Sequence, residues 1–290
     1  MTEKIDINKL SSEAPKDMDK EQTKKKLLKL QLEIPELQRK LIASKKYWVL
    51  IILQWLDAAG KDGIIRNVIG SFSPVDCDVV WRKAPSKEEQ SHDFLWRIHT
   101  QMPAKWCIKI FDRSYYEDIL VPSVLWYIEP KKVAARYQII NEYEKYLEMN
   151  DIKVIKIFLN VSEKAEKERL EERLSNPEKF WKHNDGDRDT FEEREKYLKV
   201  YEKILEKCNK PKWHIVPADQ NWIKSYETAR IIVDELSKLD LEFPELVTSW
   251  WLDEYLEHVG MDSINEAITK SDPEAKKNVQ KLIKKLAKKK

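Results

Sequence analysis

Glycine is scarce in this sequence: five residues in 290, where average usage near 7% would give about 20. That scarcity excludes collagen-like, glycine-rich-linker and low-complexity architectures. Three of the five, Gly60, Gly63 and Gly70, fall in one short stretch, which marks a place where the backbone needs special geometry. Cysteine is rarer still. Cys77, Cys107 and Cys208 lie far apart with no C-x-x-C pair, which argues against a disulfide framework or structural zinc and fits a reducing, cytoplasmic setting. Long hydrophobic runs are missing too: Trp48–Leu53 is the longest, far short of the roughly 20 residues that span a bilayer. The polar start MTEKIDINKL has no signal-peptide core. Charge of one sign is also absent, 53 basic against 51 acidic residues leaving a net +2. Any anion site is therefore a local patch, and neither a membrane nor a specific nucleic acid is an expected partner.

What is present supports a folded, helix-rich chain. Hydrophobic residues make up 42% and aromatics 10%, enough for a sizeable core, and the 36% charged residues imply long solvated helical faces. Residues 1–20 read as a polar arm. From about Asp19 to Ser44, leucines at helical spacing alternate with Lys, Glu and Gln, predicting a helix that bends near Pro35. Five apolar or β-branched stretches read as buried strands: Trp48–Gln54, Cys77–Arg82, Cys107–Asp112, Val154–Val161 and His214–Pro217. Helical material separates most of them, so the expected fold is α/β, a central parallel five-stranded sheet with helices on both faces. Within a main domain over 21–240, the charged helical excursion at about 162–207 reads as a lid. Residues 241–290 read as a C-terminal helical extension.

The first strand runs directly into Trp55-Leu56-Asp57-Ala58-Ala59-Gly60-Lys61-Asp62-Gly63, and a helical pattern follows. A strand, a Gly-Lys loop and a helix together build a phosphate cradle: backbone N–H groups face the anion and the lysine reaches the transferring group. Against G-x-x-x-x-G-K-[ST], Trp55 stands for the first Gly and Asp62 for Ser/Thr, so an ordinary strand-to-helix turn is the competing reading. Asp57 is informative, because a carboxylate beside phosphate is repulsive unless a divalent cation such as Mg²⁺ lies between them. The third strand ends in Asp112-Arg113-Ser114. An apolar strand ending in Asp resembles a Walker B element, and Arg113 offers a planar fork for phosphate. Alternatively, Ser114 and Glu117 form the S-x-x-E box of the next helix.

Taken with several further segments, these residues resemble the polyphosphate kinase 2 family, which has a three-layer P-loop-kinase-like fold. The resemblance runs from about Lys24 to Leu236. It takes in Lys83-Ala84-Pro85-Ser86, His92 to Arg97, Asp112 to Asp118, Arg136, Arg169, Arg173, Asn176 to Lys179 with Trp181-Lys182, and Val216 to Asp219 with Trp222. It implies Mg²⁺-dependent phosphoryl transfer, with Mn²⁺ as a substitute, between inorganic polyphosphate and nucleotides: AMP to ADP and ADP to ATP, reversibly, with GMP and GDP as further acceptors. Tyr115-Tyr116-Glu117-Asp118 is similar to the class III branch, which acts on both AMP and ADP, although Asp112 stands where asparagine is common there. By the same resemblance Lys61 meets the transferred phosphate, and Asp57 and Asp112 bind the metal. Ala58, Ala59, Gly60, Asp62 and Gly63 shape the loop. Lys83, Arg97, Arg113, Glu117, Asp118, Arg173 and Lys182 serve phosphate or nucleotide. A homo-oligomer, dimer or tetramer, is implied as well.

One departure sets a structural question. If the Trp55 position requires φ > 0 or close approach to the ligand, an indole there obstructs the loop. That feature motivates the rival reading of a catalytically silent polyphosphate-binding protein. A kinase using ATP as donor is the other alternative.

Overall fold

The computed structural model describes residues 4–56, 58–184 and 186–244. The extension expected over 241–290 lies outside them apart from its first four residues. All five expected strands form: β1 (Trp48–Trp55), β2 (Cys77–Trp81), β3 (Ile108–Asp112), β4 (Ile152–Asn160) and β5 (Trp213–Pro217). They make one parallel sheet in the order β2-β3-β1-β4-β5. β1 and β4 are buried nearly throughout without alternation, as strands covered on both faces must be. The chain winds outward from β1 to β2, returns as β3 beside β1, then crosses to the other side as β4. The loops after β1 and β3 thus leave the carboxyl edge where the winding reverses, the place where open parallel sheets bind ligands. Register makes them neighbours, Leu53 pairing with Asp112 and Asp112 with Trp81.

Ten helices connect and cover the sheet among the described residues: α1 (Lys20–Ser44), α2 (Lys61–Asn67), α3 (Lys87–Ser91), α4 (Trp96–His99), α5 (Glu117–Leu125), α6 (Pro130–Met149), α7 (Glu163–Ser175), α8 (Gly186–Glu192), α9 (Arg194–Lys207) and α10 (Asn221–Ser237). Asp19 caps α1 by accepting from the Gln22 N–H, which satisfies an orphan donor, and α1 continues through Pro35. α1 and α2 pack with α10, while α6 and α9 both pack with α5. The excursion between β4 and β5 is α7, a 3₁₀ segment Pro177–Lys182, α8 and α9, with Gly186 opening α8. No helix among the described residues is long and apolar enough to cross a membrane.

The N-terminal stretch is tied to the body despite its polarity. Ile7 is buried in the core, and the Ile5 and Ile7 N–H groups donate to Glu206 and Glu202 of α9. Asn160, ending β4, donates to the Leu10 and Ser11 carbonyls, and Ser12 exchanges hydrogen bonds with Asp219 after β5. Ile7, with Ile5 and Leu10 packed beside it against the core, and the backbone bonds hold a segment that has no periodicity to reveal it.

A buried ionic cluster fixes the chain just after β3. Tyr115 Oη and Tyr116 Oη both donate to Glu144 Oε1 of α6 at 2.7 Å. Lys156 Nζ of β4 donates to Glu144 Oε2 and to the Cys208 carbonyl, each at 2.7 Å. Both side chains of the pair are fully buried, and removing one partner leaves an uncompensated charge. Glu144→Leu is expected to lower unfolding free energy by about 3–5 kcal/mol in urea titrations. A loss under about 1 kcal/mol would show that the cluster is dispensable.

Candidate active site

The loop after β1 turns through two left-handed residues, Ala58 at φ 59° and Gly60 at φ 79°. Trp55 is not one of them: it is the last residue of β1, extended, paired with Leu159 and buried. The position does not require φ > 0, so on that count the indole does not block the turn. Its ring instead faces the site cations, with Lys61 Nζ 5.3 Å and the Arg113 guanidinium 5.8 Å from its centroid, within cation–π range. Gly60 is where glycine is required. Its left-handed φ is strained for other residues, and a Cβ there would collide with the Lys224 ammonium. Gly60→Ala is therefore expected to cost about 2 kcal/mol or more in urea unfolding. A cost below about 0.5 kcal/mol would mean that the loop has room to relax.

Lys61 opens α2 and reaches across to β3, its Nζ donating to Asp112 Oδ2 at 2.9 Å and Oδ1 at 3.2 Å. The Asp112 carboxylate is buried, and that burial pushes its carboxyl above the usual range, with the Lys61 charge opposing. Arg113 follows in a left-handed conformation (φ 65°), its N–H bonded to the Leu53 carbonyl, so β1 itself sets the turn out of β3. From the excursion, Lys182 donates to the Asp62 carboxylate of α2. Burial pushes the Asp62 carboxyl up, but the Lys182 hydrogen bond and the charges of Lys182, Lys61 and Arg173 outweigh it and hold the carboxyl below its ordinary range. Lys61, Asp62, Asp112, Arg113, Arg173 and Lys182 are thus brought to one place with Ala58, Ala59, Gly60 and Gly63. Asp57 lies outside the described residues.

Beside this cluster lies a second. Arg97 of α4 is buried and donates to Asp118 Oδ2 at 3.2 Å and to the Lys83 carbonyl at 3.2 Å. The Lys83 side chain itself is exposed. Arg136 of α6 donates to the Asp118 carbonyl and stacks 4.6 Å over the Phe94 ring. Sequence reasoning missed Arg82, which follows β2. Its guanidinium stacks 4.6 Å over Phe111, and its Nε and one terminal nitrogen are buried without a partner. Burial, then the nearby Arg97 charge, lowers it to about 10. Glu117 stands between the two clusters, 3.8 Å from Arg113 and accepting from Gln54 Nε2 at 2.9 Å. The S-x-x-E box does not form: Ser114 Oγ donates to Gln54 Oε1 instead, and α5 begins after Tyr116. Gln54 is fully buried inside β1, and its need for a donor and an acceptor outcompetes the cap.

This arrangement concentrates cations around a strained backbone loop, with one buried carboxylate at the sheet edge. Its chemistry is charge stabilisation and positioning of phosphate rather than nucleophilic attack by a side chain. As for a metal, Asp112 supplies a hard carboxylate oxygen. Among the described residues no group of three His, Cys, Asp or Glu side chains forms a self-sufficient metal site. A cation such as Mg²⁺, held by one or two carboxylates together with substrate phosphates, fits that donor set.

A model of the family described as polyphosphate kinase 2 matches residues 17–244. An AMP/ADP-polyphosphate phosphotransferase from Meiothermus ruber is 35% identical over 222 residues, covering 76% of this chain and 83% of that protein. An ADP-polyphosphate phosphotransferase from Rhodopseudomonas palustris is 32% identical over 258 residues, covering 84% and 89%. The crystal structure of polyphosphate kinase 2 from Arthrobacter aurescens TC1 superposes with a TM-score of 0.82 at 32% identity, covering 88% of this chain and 93% of that one.

Proposed function

This chain belongs to the polyphosphate kinase 2 family, and we propose that it transfers phosphoryl groups between inorganic polyphosphate and adenosine nucleotides, AMP to ADP and ADP to ATP. The observation that carries the reading is the meeting of Lys61 with Asp112 across β1 and β3, with Lys182 joined to the loop at Asp62. Lys61 serves the phosphoryl group in flight. Arg113, Arg173 and Lys182 neutralise the remaining phosphate charge, and the second cluster, with Arg82, Arg97, Arg136 and Asp118, receives the acceptor nucleotide. Asp112, together with Asp57, would hold Mg²⁺, which would supply neutralisation of charge on the phosphates. In-line positioning between donor and acceptor supplies the rest of the rate.

The bond broken and the bond formed in ADP phosphorylation are both phosphoanhydrides, so the reaction runs in either direction with concentration. Guanine nucleotides are acceptors under the same phosphoryl-transfer chemistry. Because the donor is a polyanion, its binding weakens as salt rises, through counterion release. Exposed Leu28 and Leu32 on α1 fit burial in a homo-oligomer. The free cysteines fit the cytoplasm.

The test is a donor–acceptor matrix: polyphosphate or ATP against AMP, ADP, GMP and GDP with Mg²⁺. Formation of ADP and ATP from polyphosphate is the expected result. Polyphosphate binding without turnover would instead identify a silent binding protein, and turnover with ATP alone as donor would identify an ATP-dependent kinase.

A further inference from the structure

Two cations, half-buried Arg169 and fully buried Lys224, reach the phosphate loop from behind. Arg169 of α7 donates to the Ala58 carbonyl at 2.9 Å and to the Ala218 and Asp219 carbonyls at 2.7 Å each. Lys224 of α10 is fully buried and donates to the Gly60 carbonyl at 2.8 Å, the Ala59 carbonyl at 3.2 Å and Asn221 Oδ1 at 2.9 Å. Three consecutive loop carbonyls, 58 to 60, are therefore held on one side by two side chains from distant helices.

Backbone geometry gives this clamp a consequence on the other side. A trans peptide sets each N–H opposite the preceding carbonyl. Tying back the Ala59 and Gly60 carbonyls turns the N–H groups of Gly60 and Lys61 away from the clamp, and neither has a partner among the described residues. The clamp is also specific in type. An ammonium supplies the three donors that its three acceptors require, whereas a neutral amide has two. Among the described residues no carboxylate accepts a hydrogen bond from Lys224; burial, then Arg169, push it down to about 7, with Asp62 opposing. Burying a cation without a carboxylate partner costs stability, and an anion on the far side of the loop offsets that cost.

We propose that Lys224, seconded by Arg169, is a positioning residue for phosphoryl transfer, holding the loop carbonyls back so that the Gly60 and Lys61 N–H groups stay aimed at phosphate. The inference rests on the phosphotransfer reading above. It also explains why position 60 carries no Cβ beyond the demand of its φ: the space belongs to the ammonium.

The experiment compares the full wild-type chain with Lys224→Met and Lys224→Arg by thermal melting, steady-state kinetics with polyphosphate and ADP, and calorimetric binding of inorganic tripolyphosphate. Lys224→Met is expected to lower kcat by about 30- to 100-fold, since loop donors act on the transition state, while the KM for ADP stays within about two-fold. Tripolyphosphate binding weakens by about ten-fold or more, and Lys224→Arg recovers most of kcat because it restores charge and donors. A folded Lys224→Met with wild-type kcat and tripolyphosphate affinity overturns the proposal, since a purely structural lysine moves only the melting temperature. If Lys224→Met does not fold, Asn221→Leu, which frees Lys224 from its side-chain anchor, decides. A kcat about five-fold lower supports the clamp, and an unchanged kcat overturns it. If the wild type itself transfers nothing, the phosphotransfer reading falls, while the tripolyphosphate comparison still tests the clamp.

Discussion

Lys61→Ala is expected to lower kcat by about 10³-fold, in line with the loss of a preorganised donor to the reacting group. The ammonium is the one side-chain cation that the loop itself carries, and it already reaches Asp112 at the end of β3. A phosphoryl group entering between the β1 loop and that carboxylate meets Lys61. The substitution also removes the partner of a buried carboxylate, so unfolding free energy falls by about 1–3 kcal/mol while the fold persists. Lys61→Arg restores charge but with a longer, planar head, and recovers only part of the activity. Steady-state rates with polyphosphate and ADP, read beside urea titrations, separate the two effects. Activity of Lys61→Ala within ten-fold of wild type would remove Lys61 from the mechanism.

Asp112→Asn is expected to lower kcat by about 10²- to 10³-fold with stability unchanged or increased. The two effects part because of where the carboxylate sits. Burial, ahead of the opposing Lys61 charge, holds the Asp112 carboxyl above its ordinary range, so the folded chain binds that proton more tightly than the unfolded chain does. The group therefore costs stability as pH rises from the ordinary carboxylate value through its folded value, and the full cost stands at neutral pH. An amide removes it. Lys61, left without its partner, is partly exposed and keeps contact with water. Residual activity of the variant should need more Mg²⁺ to reach half its maximum, because one hard oxygen ligand is weakened. Loss of stability in proportion to loss of activity would make Asp112 a structural residue instead.

Much of this was legible without coordinates because it is local. A buried parallel strand reads as a continuous apolar run whatever its neighbours, which is why Trp48–Gln54 and Val154–Val161 stand out. The Gly-Lys loop and Asp112 are visible because each follows such a run directly. The misreadings share one cause, competition for partners that spacing does not reveal. Ser114 and Glu117 are spaced for a capping box, yet buried Gln54, 60 residues away from Ser114, takes both. Trp55 looks like an obstruction on a glycine motif, but the left-handed turn falls at Ala58 and Gly60, and the indole lies against Lys61 and Arg113. Arg82 looks like a strand end until its buried, unpaired nitrogens and its stack on Phe111 are seen.

By itself, the sequence determined the parallel sheet, the family, and which loop carries the lysine, since periodicity, composition and short motifs record how each segment meets its nearest neighbours. Only the tertiary structure decided which distant side chains complete that loop. Lys224 is one polar residue on a helix, with nothing in its spacing to mark it. It lies 164 residues from the Gly60 carbonyl it holds, and Arg169 lies 111 residues from the Ala58 carbonyl. A hydrogen bond is made between atoms about 3 Å apart, whatever their separation along the chain, and the packing of α7 and α10 behind the sheet edge is what brings those atoms together.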